Sequence, residues 1–262
     1  MNPVQPVRKP LYNKRLIVLS LVFVFFLVST FFAWKVSSEV ASQEAKNRFY
    51  EDSSKIQNWT QQRLDIYLLA TESLKEAVEI NGNISSDQWT TYIRKLGLIE
   101  KYPGISSISY SQRVESHGKT SYVGKYIEPL AGREKAIGFD ITSEENRRRA
   151  VEKARDTGEV AAYGKVLLPS TNAPGFGFFF PVYDAKIGPD STLEERKAGL
   201  LAIIAVTFRG TEMFQAVYGQ TDPFPNLDFE IYQNGNLILD NLLYDHDPNF
   251  SAVTASDNRL ST

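Results

Sequence analysis

An α+β fold is predicted by three observations on this 262-residue chain. From Leu11 to Asn81 there is neither a proline nor a glycine, so the usual helix breakers are missing and one very long helix is expected. Later runs of β-forming residues are joined by short turn signals, His117-Gly118 and Asn234-Gly235, which mark antiparallel hairpins. Helices and strands alternate irregularly between those hairpins, with no long parallel βαβ series and no repeat at a solenoid or propeller period.

Taken in order, the first element is Leu16 to Trp34, 19 uncharged residues rich in Leu, Val and Phe. At helical rise the segment is about 28 Å long, close to a bilayer's hydrocarbon thickness. Arg8, Lys9, Lys14 and Arg15 precede it and only Lys35 follows, so the positive-inside rule keeps residues 1–15 cytoplasmic. Residues 16–36 are therefore expected to be a membrane helix, with Trp34 at the interface and everything after it outside. A cleaved signal peptide is the rival reading, but it calls for a shorter apolar core and a small-x-small site, for which Val36-Ser37-Ser38 is a poor match.

Residues 37–81 continue as a stalk helix, rich in Glu, Gln, Lys, Ala and Arg, with an apolar stripe at Val40, Phe49, Ile56, Leu64, Leu68, Leu74 and Val78. That stripe suits a homodimer-forming stalk or a helix packed on its own domain, and the pattern serves both. Asn81-Gly82-Asn83 offers a left-handed stop. Ser86-Asp87 is expected to cap a short helix carrying Trp89, Tyr92, Ile93 and Leu96 to Ile99, ending before Pro103.

Strands are expected at Ile105 to Val114 and Thr120 to Val123, with extended pieces at Tyr126 to Glu128 and Ile137 to Ile141. Thr142-Ser143-Glu144-Glu145 reads as a capping box opening a helix that ends at Gly158. Its narrow stripe of Ala150, Val151 and Ala154 should lie on a sheet, and Arg147-Arg148-Arg149 reads as a solvated face in preference to an anion site. Strands follow at Lys165 to Leu168, Phe176 to Tyr183 and Ala198 to Phe208, with a helical turn after Thr192. A helix over Gly210 to Tyr218 and a hairpin over Asp228 to Asp240 complete the series. The resulting division is a distal subdomain over 82–198 and a membrane-proximal one over 199–262. The second sheet is expected to be incomplete, as in a fragment of a longer protein.

Composition removes most chemistry. There are 29 Lys+Arg against 31 Asp+Glu, and all five basic residues before Ser37 lack acidic neighbours. The rest carries 24 basic against 31 acidic residues, net −7, which disfavours nucleic acid. No cysteine exists, only two histidines, no phosphate-binding glycine loop and no nucleophile elbow. The carboxylate pairs Glu144/Glu145 and Asp245/Asp247 sit in capping or turn contexts. No enzyme activity, metal or cofactor is expected of this chain.

Several segments, in order, resemble one family. Gly138-Phe139-Asp140-Ile141-Thr142-Ser143 with Asn146 to Ala150 and Ala154-Arg155-Asp156-Thr157-Gly158 is similar to the CHASE domain, the extracytoplasmic sensor module of cytokinin receptors and many bacterial signalling proteins. Tyr102-Pro103-Gly104-Ile105, Tyr126-Ile127-Glu128-Pro129, Phe180-Pro181-Val182-Tyr183 and Glu195-Arg196 agree with it in order and spacing, over roughly Asn81 to Phe214.

The resemblance implies tandem PAS-like antiparallel sheets on a long N-terminal helix, the distal one holding a small ligand, with a histidine kinase or diguanylate cyclase transmitter beyond a second membrane helix. It also implies that Asp140, Thr171 and the main chain near Ala162 hold an adenine-like ligand, with Phe139, Phe178 and Tyr110 as aromatic walls. Asp140 is equally suited to capping the helix start at Thr142-Ser143. The functional expectation is an extracytoplasmic small-ligand sensor in membrane lipid, periplasmic or extracellular in its bulk. The alternative is a membrane-tethered binding or adaptor protein with no transmitter of its own.

Overall fold

The computed structural model describes residues 12–82, 84–168, 174–218, 224, 227–233, 237 and 241–246. The chain divides into two compact units, Met1–Lys55 and Ile56–Thr262. Helix α1 (Tyr12–Asn81) begins in the first and ends in the second, stopping at Gly82 with a left-handed φ of 67°. It is the one helix among the described residues long and apolar enough to cross a membrane. In the first unit every described side chain through Glu51 is exposed. Two of the three hydroxyls of the apolar stretch donate inside the helix, Ser20 Oγ to Leu16 O at 2.7 Å and Thr30 Oγ1 to Phe26 O at 2.8 Å. A bilayer supplies no water for such groups, so this internal bonding is what a spanning helix needs.

The second unit is built on a five-stranded antiparallel sheet: β1 (Ile105–Ser116), β2 (Lys119–Glu128), β3 (Ala161–Leu167), β4 (Pro174–Tyr183) and β5 (Leu200–Phe208). Their spatial order is β2-β1-β5-β4-β3. The His117-Gly118 turn joins β1 to β2 as expected, and the extended piece at Tyr126 to Glu128 is the end of β2 itself. Ile137 to Ile141 is not a strand. It holds a single bridge, Val123 to Asp140, between two 3₁₀ turns at Glu134–Ala136 and Ile141–Ser143.

The expected subdomain division at 198/199 does not follow the sheet. β5, placed by that division in the second sheet, is the central strand of the first, hydrogen-bonded to β1 and β4. An apolar strand shows its burial in its sequence but not its partners, and β5 pairs with β1, far earlier in the chain, from Ile105 opposite Phe208 to Gln112 opposite Ala202. A second sheet does exist, a two-stranded one of β6 (Glu230–Tyr232) and β7 (Leu242–Asp245). Asn234 and Gly235, the expected turn of this hairpin, lie outside the described residues, as do Asn83 and Asp247.

Both faces of the large sheet are covered. On one, the C-terminal part of α1 lays down Ile56, Tyr67, Leu74 and Val78 against Ile108, Phe176, Phe180, Ile204 and Phe208. Helix α2 (Ser86–Leu96) adds Trp89, whose ring lies near those of Tyr110 and Tyr126. Its cap is Ser85, in a capping box with Gln88, one residue before the expected one. Gly97 ends α2, and α3 (Leu98–Lys101) leads into β1. On the other face α4 (Glu145–Thr157) buries Ala150, Val151 and Ala154 against Phe179, Tyr183 and Ile203. α5 (Leu193–Gly199), capped by Thr192 and Glu195, enters β5, and α6 (Gly210–Tyr218) follows it with the expected bounds.

Candidate functional site

Strand alternation decides which side chains can share a site. Along β1 the odd and even positions part: Ile108 and Tyr110 enter the α1 side, while Ser107, Ser109 and Ser111 look toward α4. Along β4, Phe176, Phe178 and Phe180 belong to the α1 side and Phe179 to the α4 side. Between the α4 face of the sheet and the segment leading into α4 lies a cavity of about 70 Å³. It is lined by the polar Ser106, Ser107, Ser109, Ser111, Thr207 and Tyr163, by the apolar Phe139, Phe179, Ile127, Ile141 and Leu168, and by Arg133 and Arg147.

The roof of the cavity is set by Gly124. A Cβ there would come within 2.1 Å of Ala136 O, so only glycine lets the 3₁₀ segment settle on β2. Gly124 N donates to Phe139 O at 2.9 Å, and Gly138 N donates to Gly124 O at 2.8 Å, which seats Phe139 over the cavity. Arg147 comes from the first turn of α4 and is 5% exposed. Its Nη2 donates to Leu167 O at 2.7 Å and its guanidinium lies 5.2 Å from the Phe139 ring centroid. No carboxylate forms an ion pair with it among the described residues. Glu144 spends both oxygens on the amides of Asn146 and Arg147 at the start of the helix, and Glu145 pairs with Arg149.

Burial lowers the Arg147 pKa, and Tyr163 and Glu144 work the other way. A guanidinium nonetheless stays charged in proteins. Tyr163 is pushed up to about 12 by burial, against the opposing effects of Thr207 and Arg147, so its hydroxyl remains protonated beside Thr207 Oγ1 at 2.7 Å. The Ser111 hydroxyl is buried and has no hydrogen-bond partner among the described residues. The described lining thus offers two cations, a row of hydroxyls and an apolar wall, and no acid.

The expected site residues do not converge. Of the described residues among them, Asp140, Ala162, Phe139, Phe178 and Tyr110, only Phe139 lines this cavity. Asp140 Oδ1 accepts from Thr142 N at 2.9 Å and from Thr142 Oγ1 at 2.6 Å, capping the short 3₁₀ turn that precedes α4. Burial opposes its ionisation, but bonds from Thr142, Ser121 and Tyr122 prevail and hold the carboxyl below the usual range. Tyr110 sits in the α1-side core, its pKa raised to about 12 by burial. Ala162 and Phe178 line a more open cavity of about 450 Å³ beside Met213, Phe214 and Gln233. Thr171 lies outside the described residues.

Arg147 is the residue that the reading of the Arg run as a solvated face misplaces. The signal was present: 147, 150, 151 and 154 share one helical face, so Arg147 belongs to the same stripe as Ala150, Val151 and Ala154. The serines of Ile105-Ser-Ser-Ile-Ser-Tyr-Ser carry a comparable signal, polar groups on the second face of a strand covered on both sides.

Two solved structures are similar in fold. One is the ligand-binding domain of the Pseudomonas aeruginosa PAO1 amino acid chemoreceptor PctC, in complex with GABA. It is 14% identical, covering 74% of this chain and 72% of that one at a TM-score of 0.46. The other is the periplasmic sensory domain of the Campylobacter jejuni chemoreceptor Tlp1, 12% identical, covering 75% and 70% at a TM-score of 0.46. No curated protein matches. The family model of the CHASE domain matches residues 82–244, well over half of the chain, and spans both sheets and the cavity between β1 and α4. This protein belongs to the CHASE domain family and carries a sensor domain.

Proposed function

We propose that the chain is the sensing portion of a transmembrane receptor whose ligand enters the cavity beneath α4. The observation that carries this reading is a sheltered cavity lined by a buried arginine and by a buried hydroxyl, Ser111 Oγ, that has no hydrogen-bond partner among the described residues, inside a domain of a sensor family. Residues 1–15 are the cytoplasmic end, 16–36 the membrane span and 37–81 the stalk. The ligand-binding subdomain runs from 82 to the end of β5. A cavity of this volume, well below the roughly 300 Å³ at which drug-sized pockets begin, suits a ligand smaller than adenine.

Ligand binding alters the fit of the sheet against α1, and α1 carries the change to a transmitter of the histidine kinase or diguanylate cyclase type. Such a shift requires the ligand to favour one of two states. Val40, Phe49 and Tyr50, all exposed, are the residues through which two stalks associate.

Sidedness tests the reading. With a C-terminal epitope tag, protease added to intact cells should remove the tag and leave an N-terminal fragment of the span in the membrane. A tag that is protected in intact cells and lost only after permeabilisation would refute an extracytoplasmic sensor.

A further inference from the structure

We propose that the cavity beneath α4 selects a small monocarboxylate, with Arg147 as the counter-charge and the Ser111 hydroxyl as a second contact. The inference rests on the sensor reading above and names its ligand class. A buried cation without an ionic partner is costly, because burial strips its hydration and a single backbone carbonyl returns only part of it. Arg147 is in that position: Nη2 is engaged by Leu167 O, and no hydrogen bond from Nε or Nη1 is found among the described residues. Arg133, half-buried and bonded through Nη1 to Ala131 O, adds a second positive charge to the same lining.

Ser111 points independently to a ligand. It is 1% exposed, its oxygen has no partner among the described residues, and it faces the same space. An anion there accepts from the guanidinium fork and from the hydroxyl, satisfying both at once. The wall of Phe139 and Phe179 carries no hydrogen-bond donor of its own and fits the short carbon part of an organic acid, which a fully polar oxyanion such as phosphate lacks.

The test uses the full chain in detergent micelles, with melting temperature and titration calorimetry as readouts. The probes are acetate, propionate, lactate and pyruvate, with their neutral amides and inorganic phosphate as controls. At least one of the acids should raise the melting temperature while its amide and phosphate do not. Arg147→Lys, which keeps charge but loses the fork, should weaken binding by about 30-fold or more. Ser111→Ala should weaken it several-fold, and serves alone if Arg147→Lys fails to fold.

Ser109→Leu, which fills the cavity, should abolish binding. If the amides or phosphate bind as well as the acids and Ser109→Leu removes both, the carboxylate inference is overturned while the sensor cavity stands. If no probe binds the parent chain, or binding survives Ser109→Leu, the cavity is not the carboxylate site and the inference fails outright.

Discussion

A single oxygen of Asp140 serves both the amide and the hydroxyl of Thr142, which fixes the turn that delivers α4 and with it Arg147. Removing a capping carboxylate of this kind costs about 1 kcal/mol, so Asp140→Ala should lower stability in denaturant titration by about that amount without unfolding the domain. Its carboxyl is held below the ordinary range, so its contribution is complete above the unfolded pKa near 3.9 and disappears as pH falls through the lower folded value. The variant should therefore show a shallower loss of stability in that acid range. Single residues were the hardest scale to read. Capping was legible by position at Asp140, which is suited to it by sequence, but not at the start of α4, where Glu144 does what the Thr142-Ser143 capping box was expected to do. An acidic, hydroxyl-rich stretch holds several equivalent acceptors, and only the path of the backbone chooses among them.

Among the elements, α1 changes character along its length. Leu74 and Val78 are wholly buried, whereas Leu69, on the opposite face, is 71% exposed. Leu74→Ala should cost about 2–5 kcal/mol and Leu69→Ala less than about 0.5 kcal/mol, a contrast that chemical denaturation resolves. Elements were well marked in the sequence where a period and a punctuation mark coincide. Gly158 ends α4 in the left-handed region, His117-Gly118 turns β1 into β2, and α6 occupies Gly210–Tyr218. They were poorly marked where the backbone neither coils nor extends for long, as between Glu134 and Ser143, where two 3₁₀ turns and one bridge leave no sustained period.

Within the sensor unit, side-chain hydrogen bonds tie distant parts of the chain, and Glu79 makes one of them. Its Oε1 accepts from Tyr183 N at 2.9 Å across 104 positions, joining the last turns of α1 to the end of β4. Burial raises its pKa, with the Tyr183 amide and Lys75 opposing. A raised carboxyl binds its proton more tightly in the folded state, so its stabilising effect is full below the unfolded pKa near 4.3 and is lost as pH climbs through the folded value. Glu79→Gln keeps an acceptor and removes the titration, so the decline in melting temperature across that interval should flatten. Asp140 and Glu79 thus act in opposite directions on adjoining parts of the acid limb. At this scale the sequence conveyed the class of fold and the presence of two sheets, but not which strands neighbour one another, because pairing over long separations leaves no local trace.

The place of β5 at the centre of the sheet has a consequence for how the protein is made. The β1–β2 pair and the β3–β4 pair can each form from neighbouring stretches as they leave the ribosome or the export channel, yet neither can join the other until Leu200–Phe208 arrives. Loop closure over such separations is slow, so assembly should wait on the last strand. Ser111 and Tyr163 stand on opposite halves, so until that moment the two sides of the recognition chamber have never met.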